Sequence, residues 1–220
     1  ALIEVGGVSM LELVIKRLKR AGVDAVVINA FHLSDQIEVF LKSRKNLGLR
    51  VQISKEDNLL DTGGGLKKAS SFFDDGKPFY VHNVDVISDV DLGRMYRFHV
   101  ENKALATLAV RDRESERFLL FDAKGRLCGR GNAEGREWAG PEVSDSERLA
   151  FDGIHVVSPE IFPKMTETGV FPIMQAYLHL AGVGEKILAF KTDGSYWRDI
   201  GGMDKLKAAR AEAARSKKHK

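Results

Sequence analysis

Cysteine is nearly absent from this 220-residue chain, in which Cys128 stands alone. A single thiol excludes an internal disulfide and any cysteine-rich zinc site, and it fits a reducing compartment, so the cytoplasm is the expected address. A surplus of one charge sign is missing as well. Lys and Arg number 34 against 31 Asp and Glu, interspersed along the chain, and a net charge of +3 creates no field that would gather nucleic acid. The one concentrated basic stretch, Arg215 to Lys220, reads as a solvated terminus. No apolar run reaches the ~18 residues that suggest a membrane span, so no membrane partner is expected. The six histidines lack close ligand spacing, which speaks against zinc, and no serine stands in a nucleophile elbow. At 44% hydrophobic residues the chain can bury one substantial core, and a single domain over 1–220 is expected.

Helical and extended patterns alternate along the chain. Ser9 with Glu12 three residues later is a capping-box pattern, and Leu11, Val14, Ile15 and Leu18 follow at helical spacing, predicting a helix over about 10–21. Val26 to Ile28 reads as a strand covered on both faces. Ser34 can cap a helix carrying Ile37, Phe40 and Leu41, and Leu49, Val51 and Ile53 alternate as a strand. Asp61 to Gly65 reads as a glycine-rich turn, Leu66 to Phe73 as a short helix, and Phe79 to His82 as a buried strand ending at Asn83, Val84 and Asp85. A helix near 91–101, a strand at Leu105 to Val110, a hairpin insertion over about 117–132 and a polar irregular stretch from Asn132 to Arg148 come next. A strand at Phe151 to Val157, helices near Glu160 and at Ile173 to Ala181, a strand at Ile187 to Phe190 and a last helix from about 203 complete the pattern. The expected class is α/β, a mostly parallel, Rossmann-like sheet with helices on both faces and ligands at the strands' C-terminal ends.

Several residues can carry chemistry. Thr62, Gly63, Gly64 and Gly65 precede a helix start, where bare amides can approach a ligand; a tight turn demanding positive φ accounts for them equally. A dinucleotide fingerprint would need a third glycine where Lys68 stands, so a nicotinamide site is rejected. Lys67 and Lys68 suit either a phosphate or a solvated helix face. Asp85 ends a buried strand, the place where α/β proteins expose catalytic or metal-binding carboxylates, though a loop-capping role fits the same position. Asp199 lies in Ser195-Tyr196-Trp197-Arg198-Asp199-Ile200-Gly201-Gly202, which also reads as an ordinary turn before the terminal helix. Two aspartates distant in sequence can meet as oxygen ligands of Mg²⁺, which characteristically takes one or two carboxylates together with substrate phosphates.

Taken in order and spacing, Asp61-Thr62-Gly63-Gly64-Gly65-Leu66, Asn83-Val84-Asp85, Phe151-Asp152-Gly153-Ile154 and Trp197-Arg198-Asp199-Ile200-Gly201 resemble motifs of the sugar-1-phosphate nucleotidyltransferases, over nearly the whole chain. Among them the N-acetylmuramate-1-phosphate uridylyltransferases are the most similar, followed by mannose-1-phosphate guanylyltransferases. The resemblance implies an enzyme that joins a nucleoside triphosphate, UTP in preference to GTP, to a sugar 1-phosphate. It implies that Thr62 and Gly63 to Gly65 line the nucleotide, with Asn83 beside its ribose or the metal shell. It further implies that Asp85 and Asp199 hold Mg²⁺ as catalytic groups and that Gly153 approaches the sugar. A non-catalytic nucleotide-sugar-binding regulator is the alternative from another class. Two positions depart from the pattern: Val84 stands where relatives have a small residue, and Asp152 where Ser is common. The family's first strand, phosphate loop and lysine are expected before Ala1, so the sequence is read as truncated and, as given, inactive.

Overall fold

The structure, a computed structural model, describes residues 1–218. The backbone of Arg215 to Lys218 belongs to the last helix, and His219 and Lys220 of the basic stretch lie outside the described residues.

The chain opens with a small ribbon, β1 (Glu4–Val5) against β2 (Val8–Ser9), and enters α1 (Met10–Arg20). The Ser9 hydroxyl accepts the Glu12 amide at 3.2 Å, satisfying a free N–H of the first turn, and Leu11, Val14, Ile15 and Leu18 are buried as their spacing predicts. β3 (Ala25–Ala30), α2 (Ser34–Ser43) and β4 (Arg50–Lys55) form a crossover unit in which β3 and β4 pair in parallel. Ser34 is the first residue of α2 rather than its cap. The capping position is Leu33, in left-handed backbone at φ 60° and without a side-chain bond to the helix.

α3 (Asp61–Lys68) corrects the reading of a glycine turn. Gly63, Gly64 and Gly65 are buried inside the helix, and the residue with positive φ is Asp61, at 59°. Next come β5 (Phe79–His82), β6 (Val86–Ser88), α4 (Leu92–Asn102) and β7 (Ala106–Arg111). The expected hairpin is present as β8 (Phe118–Phe121) and β9 (Leu127–Asn132), and the stretch read as irregular continues it with β10 (Gly135–Trp138) and the start of β11 (Glu147–Val157). Around Glu160 the backbone makes only a 3₁₀ segment, Pro159–Lys164, with Pro163 inside it. α5 (Ile173–Gly182), β12 (Ile187–Lys191), β13 (Trp197–Asp199) and α6 (Met203–Lys218) close the chain.

The α/β class is as expected, with a Rossmann-like central sheet between helices, but the pairing is mixed instead of mostly parallel. β5, β7 and β12 run in one direction; β11 runs against them, pairing antiparallel with β7 on one edge and with β5 and β8 on the other. The reversal follows from the three-stranded extension β8–β9–β10, which returns the chain to the sheet from its far end. Strand alternation then divides the core. Leu108 and Val110 of β7 pack with α5, whereas Ala109 packs with Val14 and Leu18 of α1 and Met95 of α4. Three pairs stand outside this sheet, the opening ribbon β1 with β2, β3 with β4, and β6 with β13.

Candidate active site

The pairing of β6 with β13 places Asp199 opposite Val86, and the Ile200 amide donates to the Asp85 carbonyl at 2.9 Å. Residues 85 and 199 are thereby neighbours. A side-chain carbon on Gly201 would fall 2.9 Å from Oδ2 of Asp85 and 3.0 Å from Oδ1 of Asp199, so the two half-buried carboxylates flank one small space. Burial opposes ionisation of Asp199. Lys205 at the start of α6, the Gly201 amide at 2.7 Å and the charge of Arg113 outweigh it, holding its carboxyl below the ordinary range. Asp199 therefore offers anionic oxygens beside the Asp85 carboxyl. Among the described residues no third His, Cys, Asp or Glu joins them, so a cation here would complete its shell from water and substrate, a donor set that suits Mg²⁺ and not zinc.

Beside the carboxylates lie Asn83 and Gly153. The Asn83 amide donates to the Gly153 carbonyl at 2.9 Å, and a side chain on Gly153, whose φ is +77°, would come within 3.0 Å of the side-chain Nδ2 of Asn83. Only glycine meets both requirements without strain. Asp152 is 1% exposed and already committed. Both its carboxylate oxygens accept from Arg111 Nε at 2.9 Å, and Thr192 donates to Oδ2 at 2.6 Å. Its backbone carbonyl accepts from Trp197 Nε1 at 2.9 Å. The departure at Asp152 thus serves the scaffold.

The glycine segment is organised differently from the expectation of free amides. Thr62 donates its amide to the Asp61 carboxylate at 2.6 Å, while the amides of Gly63 and Gly64 share the Phe171 carbonyl at 2.9 and 3.2 Å. The Thr62 hydroxyl accepts from the first amide of α5 at 3.0 Å. Lys67 donates to the carbonyls of Met165 and Glu167, and the exposed Lys68 gives one of its three donors to the carbonyl of Lys55. Gly65 is packed against polar groups: a carbon added to it would be 2.6 Å from both Asn29 Nδ2 and Glu56 Oε1. Its bare face borders a polar edge formed by the ends of β3 and β4.

Arg111, Arg113, Lys205, Asn29 and Glu56 were not singled out from the sequence. Glu56 follows a strand end as Asp85 does, and the same signal could have found it. The two arginines depend on which neighbours fold against them. An open cleft of about 610 Å³ lined by Arg94, Asp122, Lys124 and Lys191 contains none of these residues, and its mixed walls converge on no reactive group.

Carboxylates that converge just past the C-terminal end of β5 lie where open α/β folds bind their ligands. The family model described as nucleotidyl transferase matches residues 1–126, and the chain belongs to that family. It is 29% identical to mannose-1-phosphate guanyltransferase beta-B of Xenopus laevis, over 85% of this chain and 51% of that protein. It is 28% identical to the N-acetylmuramate alpha-1-phosphate uridylyltransferase of Caulobacter vibrioides, over 97% of this chain and 88% of that protein. The chain thus spans about half the length of the first of these relatives. A solved UDP-glucose pyrophosphorylase complexed with UDP-glucose superposes with a TM-score of 0.77 at 15% identity, covering 98% of this chain and 90% of that one, a likeness of fold.

Proposed function

We propose that the protein transfers a nucleotidyl group from a nucleoside triphosphate to a sugar 1-phosphate. An oxygen of the sugar phosphate attacks the α-phosphorus, the bond to the β-phosphate breaks, and pyrophosphate leaves with the electron pair. The observation that carries this reading is the convergence of Asp85 and Asp199, distant in sequence, on one point. No covalent enzyme intermediate is needed; positioning and charge neutralisation suffice.

Asp85 and Asp199 would hold Mg²⁺, which supplies neutralisation of the phosphate charge. Lys205 and the Gly201 amide keep Asp199 ionised and oriented. Asn83 and Gly153 form the wall on the other side, where Gly153 would approach the sugar through its backbone, the place of its missing side chain being taken by Asn83 and Val86. Gly65 lets Asn29 and Glu56 pack against α3, and the polar edge these two side chains form would border the base. UTP with N-acetylmuramate 1-phosphate is the favoured pair, because the relative named for that reaction is matched over most of both chains. GTP with mannose 1-phosphate is the second reading, favoured by Glu56, whose carboxylate suits the adjacent N–H donors of guanine. Localisation in the cytoplasm belongs to the same proposal; among the described residues no helix is long and apolar enough to cross a membrane.

The test is a pyrophosphate-release matrix of nucleoside triphosphates against hexose 1-phosphates, N-acetylmuramate 1-phosphate included, on the native full-length chain. Asp85→Asn should lower turnover on the order of 10²-fold or more while preserving shape. Near-normal turnover in that variant would sink the assignment.

A further inference from the structure

The two arginines at the end of β7 differ in how their donors are spent. Arg111 uses Nε on both oxygens of Asp152, Nη1 on the Ser195 carbonyl at 3.1 Å and Nη2 on the Thr192 hydroxyl at 3.1 Å. Arg113 donates from Nη2 to the Phe151 carbonyl at 3.1 Å and makes one long contact, 3.4 Å, from Nη1 to the Glu114 carbonyl. Its Nε is sealed from solvent and has no partner. Among the described residues no carboxylate lies within ion-pair distance of it. Burying a donor without a partner costs on the order of 1–3 kcal/mol, a cost shared by the Nε of Arg17, so the donor of Arg113 left for a ligand from outside the chain is Nη1, spent only on the long contact.

The position of the group says which ligand. Its guanidinium carbon lies 4.3 Å from the centre of the Trp197 ring, and that ring is fixed by the bond from Nε1 to the Asp152 carbonyl. Trp197 and Asp199 are two residues apart on β13 and so share a face of the strand. The stacked guanidinium is therefore held on the side of the Asp199 carboxylate, next to the space it shares with Asp85. Burial works against the charge of Arg113; the nearby carboxylates of Asp152 and Asp199 favour it, and Arg111 repels it. The tether to Phe151 keeps it on the Asp152–Gly153 side of the site.

We propose that Arg113 binds the phosphate of the sugar 1-phosphate and holds it in line beside the two carboxylates, an assignment that rests on the transferase reading above. A planar guanidinium stacked on an indole presents its edge in one orientation, which suits two-point recognition of a phosphate better than a mobile ammonium would.

The experiment compares wild type, Arg113→Gln and Arg113→Lys on the full-length chain. Steady-state pyrophosphate release is measured, together with calorimetric titration of glucose, mannose and N-acetylmuramate 1-phosphates and, separately, of UTP and GTP, all with Mg²⁺. Arg113→Gln should raise KM and weaken binding for the sugar phosphate on the order of ten-fold or more, leaving nucleotide affinity within about three-fold. Arg113→Lys should recover part of the loss. A thermal melt of each variant separates this from failure to fold, and Arg113→Lys carries the test if the glutamine variant is unstable. Equal weakening of both substrates, or none of the sugar phosphate, overturns the assignment while the transferase reading stands. A wild type that binds nucleotide but neither binds nor consumes any sugar 1-phosphate overturns both.

Discussion

Glycines divide sharply by what a methyl group would meet. At Gly201, which is exposed and lies outside the left-handed region, the backbone accepts alanine and the consequence falls on the site, because the methyl would sit between Oδ2 of Asp85 and Oδ1 of Asp199. Both carboxylates must swing apart to admit it. Gly201→Ala is expected to lower Mg²⁺-dependent pyrophosphate release by about 10²-fold with the thermal midpoint shifted by no more than ~3 °C, and unchanged turnover would mean that the space between the carboxylates is not used. Gly64 and Gly93 make an opposed pair. Both are helical, so alanine gains up to about 1 kcal/mol from propensity, but at Gly64 the added carbon collides with the backbone carbonyl of Gly169, which cannot rotate away as a side chain can. Overpacking of that kind costs about 1–3 kcal/mol and wins. At Gly93 the nearest atoms are 3.4 and 3.5 Å away, ordinary contact, and propensity wins. Denaturant titration without ligand should find Gly64→Ala less stable than wild type and Gly93→Ala equal or more stable; the reverse order would show that α3 is loosely packed.

Elements are tied together by buried histidines that no metal requires. His99 of α4 reaches Thr107 of β7 through Nδ1 and Ser158 after β11 through Nε2, both at 2.9 Å. The Ser158 hydroxyl donates to the Ala104 carbonyl at 2.9 Å, so it accepts from Nε2, and Nδ1 is left to accept from Thr107. One proton satisfies the ring and a second breaks a bond. Burial lowers the His99 pKa to about 4 and, with repulsion from His82, that of His155, bonded to Tyr177, to about 3. Each folded value lies below the ordinary 6.5, so the unfolded chain takes up more protons as pH falls through that window. Stability is therefore full above pH 6.5 and declines towards pH 4, by about 1.4 kcal/mol per pH unit for each such group. Denaturant midpoints at pH 7.5, 6.0 and 5.0 should fall in wild type and fall less steeply in His99→Gln; a flat wild-type profile would contradict the buried neutral assignment. These contacts also mark where the sequence ceases to be legible. Apolar periodicity identifies α1, α4, α5, β5 and β7 as elements, because burial imposes it, yet a run such as Phe151 to Val157 reads the same in either direction and cannot announce that β11 runs against its neighbours. Glycine's low helix propensity makes Gly63 to Gly65 look like a turn, and the close approach of Phe171 and Gly169, a tertiary fact, puts them in a helix. Asp85 and Asp199 stand out as carboxylates at segment ends, while β6 and β13, which join them, are three residues each and too short to carry a pattern.

Viewed as a whole, the molecule joins parts of unequal stability, and its candidate site spans the join. Asn83 and Gly153 belong to the seven-stranded sheet or its edge, where Leu108, Ala109, Val110, Ile154 and Val156 are wholly buried and packed from both faces. Asp85 and Asp199 belong to the β6–β13 ribbon, whose strand pairing is confined to its own two strands, and Gly65 faces the equally separate β3–β4 pair. Amides with few buried contacts exchange through local opening, those of a packed central sheet only through global unfolding. Native-state hydrogen exchange on the ligand-free protein should accordingly find β7 and β11 slowest, with β3–β4 and β6–β13 opening well below the global free energy. A nucleotide with Mg²⁺ that bridges these parts must be released before either pair can open. At 100 times its dissociation constant a ligand stabilises the closed form by about 2.7 kcal/mol, which is roughly 100-fold slower exchange. UTP or GTP with Mg²⁺, in the absence of a sugar phosphate and at a saturation verified by calorimetry, should slow the amides of Ile87, Arg198 and Ile200 by that order. Mg²⁺ alone should slow them less, because the two carboxylates supply only part of its shell. Unaltered exchange in the ribbon at full occupancy would place the nucleotide away from Asp85 and Asp199, and the metal reading of both residues would fall with it.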